Sequence, residues 1–208
     1  MSEILTIGMP DCRGTLSALS LQEDKFMLYQ GKDLEEQAVL QTAARMCLAA
    51  RTAPKTHGRD TIHTYVLTGE EKEALAKKME EVGTREMGEE MWTWYGRDAK
   101  NVRASKAVVL IGTERKQRGT KRCNLCGLGG CAGNKKAGGT CSFALLDLGI
   151  AVCSAVTTAS LDKADNRIMY SIGKVAEEMD FDPGCAWLGI PLSSSGKSIF
   201  FDRGITHS

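Results

Sequence analysis

The sequence lacks several features that would place it quickly in a class of proteins. Its formal net charge is only +1 over 208 residues, so the overall charge indicates neither nucleic acid nor a membrane surface as a partner. A signal peptide begins with a basic region that is followed by a long apolar run. The N-terminus, MSEILTIGMPDCRG, has neither. The longest nearly apolar run, residues 143–156, is too short to span a bilayer. We therefore expect a cytoplasmic protein without a membrane segment.

Familiar catalytic motifs are also missing. The chain contains no Walker-type phosphate loop, no His-Glu-x2-His and no Gly-x-Ser-x-Gly. We interpret His57, His63 and His207, the 3 histidines, as surface or hydrogen-bonded residues rather than catalytic ones. The basic stretch 115–122 has no interleaved aromatic residue, so no nucleic-acid partner is expected. We interpret it as a solvated loop that balances nearby negative charge or docks an acidic electron-transfer partner. With 42% hydrophobic and 25% charged residues, the composition excludes disordered and fibrous proteins.

Two residue types are abundant, with 22 Gly and 8 Cys in the chain. Eight cysteines are about 4% of the residues, well short of the roughly 8–10% of a disulfide-rich scaffold. Four of them crowd into residues 123–141, whereas Cys12, Cys47, Cys153 and Cys185 are scattered. In a reducing compartment, clustered cysteines are metal ligands or redox thiols more often than disulfides.

The cysteine-rich segment reads CNLCGLGGCAGNKKAGGTC, with the spacing C-x2-C-x4-C-x9-C from Cys123 through Cys126 and Cys131 to Cys141. It lacks histidine and has only one C-x2-C pair, whereas a structural zinc site normally has two such knuckles. Its glycines let the backbone close around sulfur, as in iron–sulfur loops. The spacing favours an iron–sulfur cluster, with structural zinc or redox thiols as alternatives. Cys153 or Cys12 could replace Cys141 as the fourth ligand.

The periodicity of apolar residues predicts an α/β or α+β fold in a single domain, residues 1–208, with a loop-rich insertion at 113–141. We expect helices at 34–50, 70–82 and 143–156, a helix capped by Asp165 and Asn166, and strands at 62–68, 106–112, 186–192 and 197–201. We expect three of the scattered cysteines to pack in the core. These are Cys47 and Cys185, which have apolar neighbours in the sequence, and Cys153, which lies on the apolar helix.

Further candidate residues could bind an anion. Arg51, Lys55, Thr56 and Arg59 surround Pro54 between a helix and a strand, and Lys197 follows a glycine near a second chain reversal. Such side chains suit phosphate or carboxylate groups, although a solvated basic loop is an equally good interpretation. Segment 92–95 (WTWY) predicts core packing, a dimer contact or a stacking wall.

Two stretches, residues 141–173 (CSFALLDLGIAVCSAVTTASLDKADNRIMYSIG) and 189–203 (GIPLSSSGKSIFFDR), resemble an uncharacterised bacterial and archaeal family described as ferredoxin-domain-containing proteins. The resemblance covers most of the chain and includes the cysteine loop. It implies a [4Fe–4S] cluster as cofactor, but it names no reaction.

Residues 44–68 (ARMCLAARTAPKTHGRDTIHTYVLT) resemble the nitroreductase-like flavin fold, in which a helix ends in Ala-Ala-Arg-x-Ala-Pro before a polar loop and a strand. This resemblance implies an α+β fold with a mixed sheet flanked by helices. It also implies a homodimer formed through long helices, with flavin mononucleotide (FMN) at the interface. Lys55, Gly58 and residues 60–61 depart from the polar pattern typical of that loop.

These observations lead to three hypotheses. The first is a homodimeric iron–sulfur redox protein with an electron-transfer or oxidoreductase role, which passes electrons to a flavin, an electron-transfer protein or a small-molecule substrate. The second is a non-enzymatic domain in which the cysteines hold structural zinc and a groove binds a partner or nucleotide. The third is a flavoprotein whose cysteine loop is a regulatory thiol switch.

Overall fold

The computed structural model describes residues 28–88 and 94–201, and the described residues from Gly31 onward belong to one compact unit. The helices are α1 (Gly31–Thr52), α2 (Gly69–Met87), α3 (Trp94–Ala104), α4 (Gly130–Lys136), α5 (Ser142–Leu161) and α6 (Tyr170–Ala176). The strands are β1 (Ile62–Leu67), β2 (Ala107–Glu114), β3 (Asp165–Asn166) and β4 (Cys185–Ser193). The single domain expected over 1–208 includes residues beyond these ranges and stays a prediction.

The four strands form one sheet in the order β1-β2-β4-β3. All pairings between the described strands are antiparallel, where a mixed sheet was expected. The central strand β2 pairs Thr113 with Ile62 of β1, and Ala107 with Leu192 of β4. Its sequence, AVVLIGTE, is apolar because both of its faces are covered.

Helices cover the two faces of the sheet as separate layers. Val109 and Ile111 of β2 pack into the core formed with α1 and α5, whereas Val108 and Leu110 pack into the core formed with α2, α3 and α6. This division follows from the two-residue period of a strand, which sends successive side chains to opposite faces. The predicted α+β architecture is confirmed.

Helix α5 is the apolar helix expected at 143–156, but it continues to Leu161. Ala144, Ala151, Ala155 and Ala159 are fully buried, and such small side chains let α1 approach closely. With 20 residues and a mean hydropathy of 1.7 in its most apolar window, α5 is long and apolar enough to cross a membrane. It packs beside α1 on the sheet, and 39% of this window is buried. Core helices of soluble proteins meet the same criteria of length and composition.

Two predictions about local structure are wrong. Asp165 and Asn166 do not cap a helix, because they pair with the end of β4 as strand β3. The next helix begins only at Tyr170, after Met169 forms a bridge with Gly189. Residues 197–201 form turns rather than a strand. In each case a contact with β4 or a local turn overrides the apolar pattern of the segment.

Candidate metal centre

The four clustered cysteines meet around one cavity. Cys123, Cys126, Cys131 and Cys141 all line a space of about 250 Å³, part of which is open to solvent. Cys141 is buried and the other three are half-buried. The segment that carries them connects β2 to α5, and Gln117, Leu125, Asn134 and Phe143 contribute to the same wall. The structure therefore brings together the four residues that the spacing predicts as metal ligands.

Asn124 shapes the first half of this segment. Its side-chain oxygen accepts hydrogen bonds from the backbone N–H groups of Gly129 (2.8 Å) and Gly130 (3.1 Å). Both glycines have left-handed backbone angles, with φ of +74° and +84°, which other residues adopt only with strain. The turn reverses the chain so that α4 starts beside Cys123 and places Cys131 on the cavity.

Asn134 organises the second half. It is buried, it accepts a hydrogen bond from Gln117 (2.5 Å), and its amide donates to the carbonyl of Thr140 (3.0 Å). Gly133, the residue before Asn134 in α4, lies very close to the loop that precedes this helix. A Cβ at Gly133 would be 1.8 Å from the carbonyl oxygen of Leu128. These contacts give the segment a defined shape made by its own residues.

Cys141 is held at the start of α5. Its backbone N–H donates to the carbonyl of Arg115 (3.1 Å), and the residue occupies the N-cap position of the 20-residue helix. Ser142 and Phe143, in the first turn, also line the cavity. The positive end of the helix dipole thus lies at the cavity, where it favours negative charge.

The donor set consists of four thiols, which are soft ligands suited to zinc or iron–sulfur clusters. In the described part of the chain, however, no three His, Cys, Asp or Glu side chains are arranged to hold one metal ion. Thiolates on a single tetrahedral ion, with Zn–S bonds of about 2.3 Å, would lie roughly 3.8 Å apart. By the chemistry of their donors, the four thiols fit either group.

The remaining described cysteines do not line this cavity. Cys153 is exposed on α5, so the expectation that it packs in the core is wrong. It lies twelve residues beyond Cys141, or about 18 Å along the helix, which makes Cys141 the better fourth ligand. Burial raises the pKa of Cys47. Burial also raises the pKa of Cys185, to about 11, and the negative charge of Asp182 adds a smaller effect in the same direction.

An ion pair that the sequence analysis missed lies beside the cysteine segment. Arg118 and Asp147 are both buried, with 2% of each side chain exposed and Nε 3.0 Å from Oδ2. Arg118 was expected on a solvated basic loop, but it folds inward because Asp147 projects from the buried face of α5. A single carboxylate in the apolar run 143–156 was the available signal, since a buried charge requires a partner.

The hydrogen bonds of this pair are complete on both sides. Arg118 also donates to the hydroxyl groups of Thr61 (2.8 Å) and Thr113 (3.0 Å) and to the carbonyl of Lys116 (2.9 Å). The other oxygen of Asp147 accepts from the backbone N–H (2.9 Å) and hydroxyl (2.8 Å) of Thr56. The pair therefore joins the cysteine segment, α5 and the loop before β1.

The residues predicted to bind an anion lie in that loop, but several of their donors are already used. Lys55, only 6% exposed, donates to the carbonyls of Arg51 and Ala53 at the end of α1. Arg51 pairs with Asp60 (2.6 Å). Partial burial raises the pKa of Asp60, but the hydrogen bonds from Arg51 and from the backbone of Ile62, with the charges of Arg51 and Lys55, together outweigh it and lower the pKa. Arg59 is exposed, and it donates to the carbonyl of Arg118 (3.4 Å).

Lys197 does not join this group. It is exposed and follows the end of β4, which pairs with the start of β2 at Ala107. Arg51 contacts Ile62, which pairs with Thr113 at the other end of β2, about 20 Å along the strand. The structure thus separates Lys197 from the other four residues, and the anion-binding role of all five stays a prediction.

The other singled-out residues have ordinary surroundings. His57 lies 3.0 Å from the hydroxyl of Thr120, and His63 lies 2.8 Å from a carboxylate oxygen of Asp182. Trp94 stacks on Tyr95 and Tyr170, as packing of segment 92–95 predicts. Cys12, Trp92, Thr93 and His207 lie outside the described residues.

Comparison with solved structures supports the fold. The chain superposes on a nitroreductase with bound FMN from Bacteroides fragilis NCTC 9343 with a TM-score of 0.50 and 11% identity, over 80% of this chain and 78% of the other. A putative NADH dehydrogenase/NAD(P)H nitroreductase from Bacteroides thetaiotaomicron gives 0.50 and 10%, over 76% and 74%. The nitroreductase-like fold is therefore confirmed, and at these identities the likeness concerns the fold alone.

Sequence comparison is more specific. A family model described as "Uncharacterized protein containing a ferredoxin domain" matches residues 137–203, which include Cys141. An uncharacterized protein of Archaeoglobus fulgidus is 40% identical over 185 residues, which cover 85% of this chain and 98% of that protein. The family description, which names a ferredoxin domain, indicates a redox or electron-transfer role. The chain belongs to the family of uncharacterized proteins that contain a ferredoxin domain.

Proposed function

We propose that this protein is an iron–sulfur redox protein in which Cys123, Cys126, Cys131 and Cys141 hold a [4Fe–4S] cluster. The observation that carries the proposal is the convergence of these four thiols on one cavity. Such a cluster supplies one-electron transfer, and its potential depends on hydrogen bonds, charge and exposure.

The chain's own residues supply the surroundings of the site. Asn124 and Asn134 fix the course of the loop, and the N-terminus of α5 directs its positive end toward the cavity. Lys121, Arg122, Lys135 and Lys136 are exposed around it and offset negative charge. Half-burial of three cysteines leaves one side of the site near the surface, where electrons can be exchanged with a partner.

The experiment is metal analysis of protein purified without oxygen. We expect iron and acid-labile sulfide, about four of each per chain, with a broad absorbance near roughly 400 nm. The double variant Cys123→Ala/Cys126→Ala should lose most of the iron and this absorbance. The matched control, Cys47→Ala/Cys153→Ala, removes two cysteines that do not line the cavity. It should keep both the iron and the absorbance.

Two results would contradict the proposal. One is a colourless protein with about one zinc per chain that unfolds locally on chelation, which is the outcome expected of a structural zinc domain. The other is equal loss of iron from both double variants, which would show that the cavity does not select the ligands.

FMN is a second candidate cofactor, because the nitroreductase from Bacteroides fragilis contains it in a similar fold. The donors of Lys55 and Thr56 are used within the chain, so these residues do not form an open phosphate cradle in one protomer. We expect flavin only if a second protomer completes the site. A yellow colour released from the protein by heat, measured by fluorescence, would establish flavin binding.

A homodimer is the assembly we propose. Helices α1 and α5 pack together, and they expose large apolar side chains, among them Leu48 (63%), Leu146 (51%) and Leu161 (76%). Apolar surface of this kind is typical of an interface. Light scattering during gel filtration should give a mass near twice the 22.5 kDa of the chain.

A further inference from the structure

Positive charge is concentrated on the segment that carries the cysteines. Residues 115–141 contain seven Lys or Arg and no Asp or Glu. The rest of the chain holds 20 Lys and Arg against 26 Asp and Glu. A protein that is almost neutral as a whole therefore has one strongly basic segment, and this segment surrounds the metal centre.

Three of the seven cations are neutralised within the chain. Arg115 pairs with Glu177, Lys116 with Glu114, and Arg118 with Asp147. The other four are Lys121, Arg122, Lys135 and Lys136; all are exposed, and none has an ion-pair partner among residues 28–88 and 94–201. Their charge is directed to solvent instead of to the fold.

In the sequence, the four free cations flank a loop that exposes apolar side chains. Lys121 and Arg122 precede Cys123, and Lys135 and Lys136 end the helix that carries Cys131. The loop between them exposes Leu125 (57%) and Leu128 (41%), and Leu125 also lines the cavity. Apolar residues within a charged rim are the usual anatomy of a protein–protein interface.

We propose that this basic face, formed by Lys121, Arg122, Leu125, Leu128, Lys135 and Lys136, docks a small electron-carrier protein with an acidic surface. Charge complementarity of this kind accelerates association and selects the partner. That the partner is an electron carrier rests on the proposed function, whereas its acidic surface follows from the charges alone. A nucleic acid is less suitable, because residues 115–141 contain no aromatic side chain on which bases could stack.

The test measures binding of an acidic two-cluster bacterial ferredoxin to the protein purified without oxygen, at low and at high salt. The variant Lys135→Glu/Lys136→Glu should associate at least about tenfold more slowly. The control Lys32→Glu/Lys77→Glu changes the net charge equally at exposed positions outside the basic face and should stay within about twofold of the wild type. A second variant, Lys121→Glu/Lys136→Glu, repeats the test in case the first fails to fold.

The proposal predicts that high salt weakens the binding and that cytochrome c, a basic carrier, does not bind. Equal effects of test and control variants would overturn it, as would tighter binding of a mixed-sequence single-stranded oligonucleotide than of the ferredoxin. The iron content of the same samples tests the cluster proposal separately from the docking proposal. If the basic-face variants lose iron but not ferredoxin affinity, the cations only balance cluster charge and the docking proposal fails while the cluster stands.

Discussion

Replacing Asp147 by Asn would remove the negative charge of a buried carboxylate and leave the shape of the side chain almost unchanged. The side-chain carbonyl of Asn can still accept the two hydrogen bonds that Thr56 donates to Asp147. The new amide, however, would face Nε of Arg118, which lies 3.0 Å from the carboxylate in the native protein. Two donors would then oppose each other, and the guanidinium charge would have no counter-charge.

The magnitude follows from burial. Both side chains are 2% exposed, so water cannot replace the lost interaction. Removal of one partner from a buried pair leaves an uncompensated charge and typically costs about 3–5 kcal/mol. Because Arg118 keeps its bonds to Thr61, Thr113 and Lys116, we expect a loss near the lower end, about 3 kcal/mol. Such a loss is a large fraction of the stability of a domain of this size.

Urea unfolding, followed by the fluorescence of the tryptophans, measures the change in free energy. The matched control is Asp162→Asn, which removes the carboxylate of the surface pair with Arg45, whose side chain is 52% exposed. Solvent screens such pairs, so the control should lose several-fold less stability. Equal losses in the two variants, or a loss below about 1 kcal/mol for Asp147→Asn, would refute the reasoning from burial.

Two further predictions concern other positions. A Cβ at Gly149 of α5 would meet no atom within 4 Å. Because alanine has the higher helix propensity, Gly149→Ala should raise the free energy of unfolding by about 0.5–1 kcal/mol. A decrease would indicate that another surface covers this position. The pKa of Cys185 is raised to about 11, so its thiolate is about one part in a thousand at pH 8. Iodoacetamide should label it, by mass spectrometry, far more slowly in native protein than in urea, and equal rates would contradict the burial.

Much of the fold could be predicted because the periodicity is strong in the long elements. The apolar face of α1 and the uniformly apolar β2 were predicted within a few residues, since each pattern records burial directly. The errors at Asp165 and at residues 197–201 both fall on short segments. Asp165 pairs with the end of β4, a contact between short stretches of the chain that the local pattern does not show, whereas residues 197–201 form turns.

The site could be predicted in part for a similar reason. Cysteine spacing identified the four residues that line the cavity, because thiols carried by one short, glycine-rich segment can meet around one space. Their role as ligands stays a prediction. The partnership of Arg118 with Asp147 could not be read from spacing, since 29 residues separate them. The engagement of Lys55 and Thr56 was missed because a basic loop has the same sequence whether it binds an anion or caps a helix.

The hydrogen bonds that Asn124 and Asn134 make have a consequence for the proposed cluster. They restrict the cysteine segment through contacts among the chain's own atoms. A zinc finger differs, because there metal binding and folding are one event. If the four thiols hold the proposed cluster, loss of the cluster would leave these contacts in place, and the domain would keep its fold.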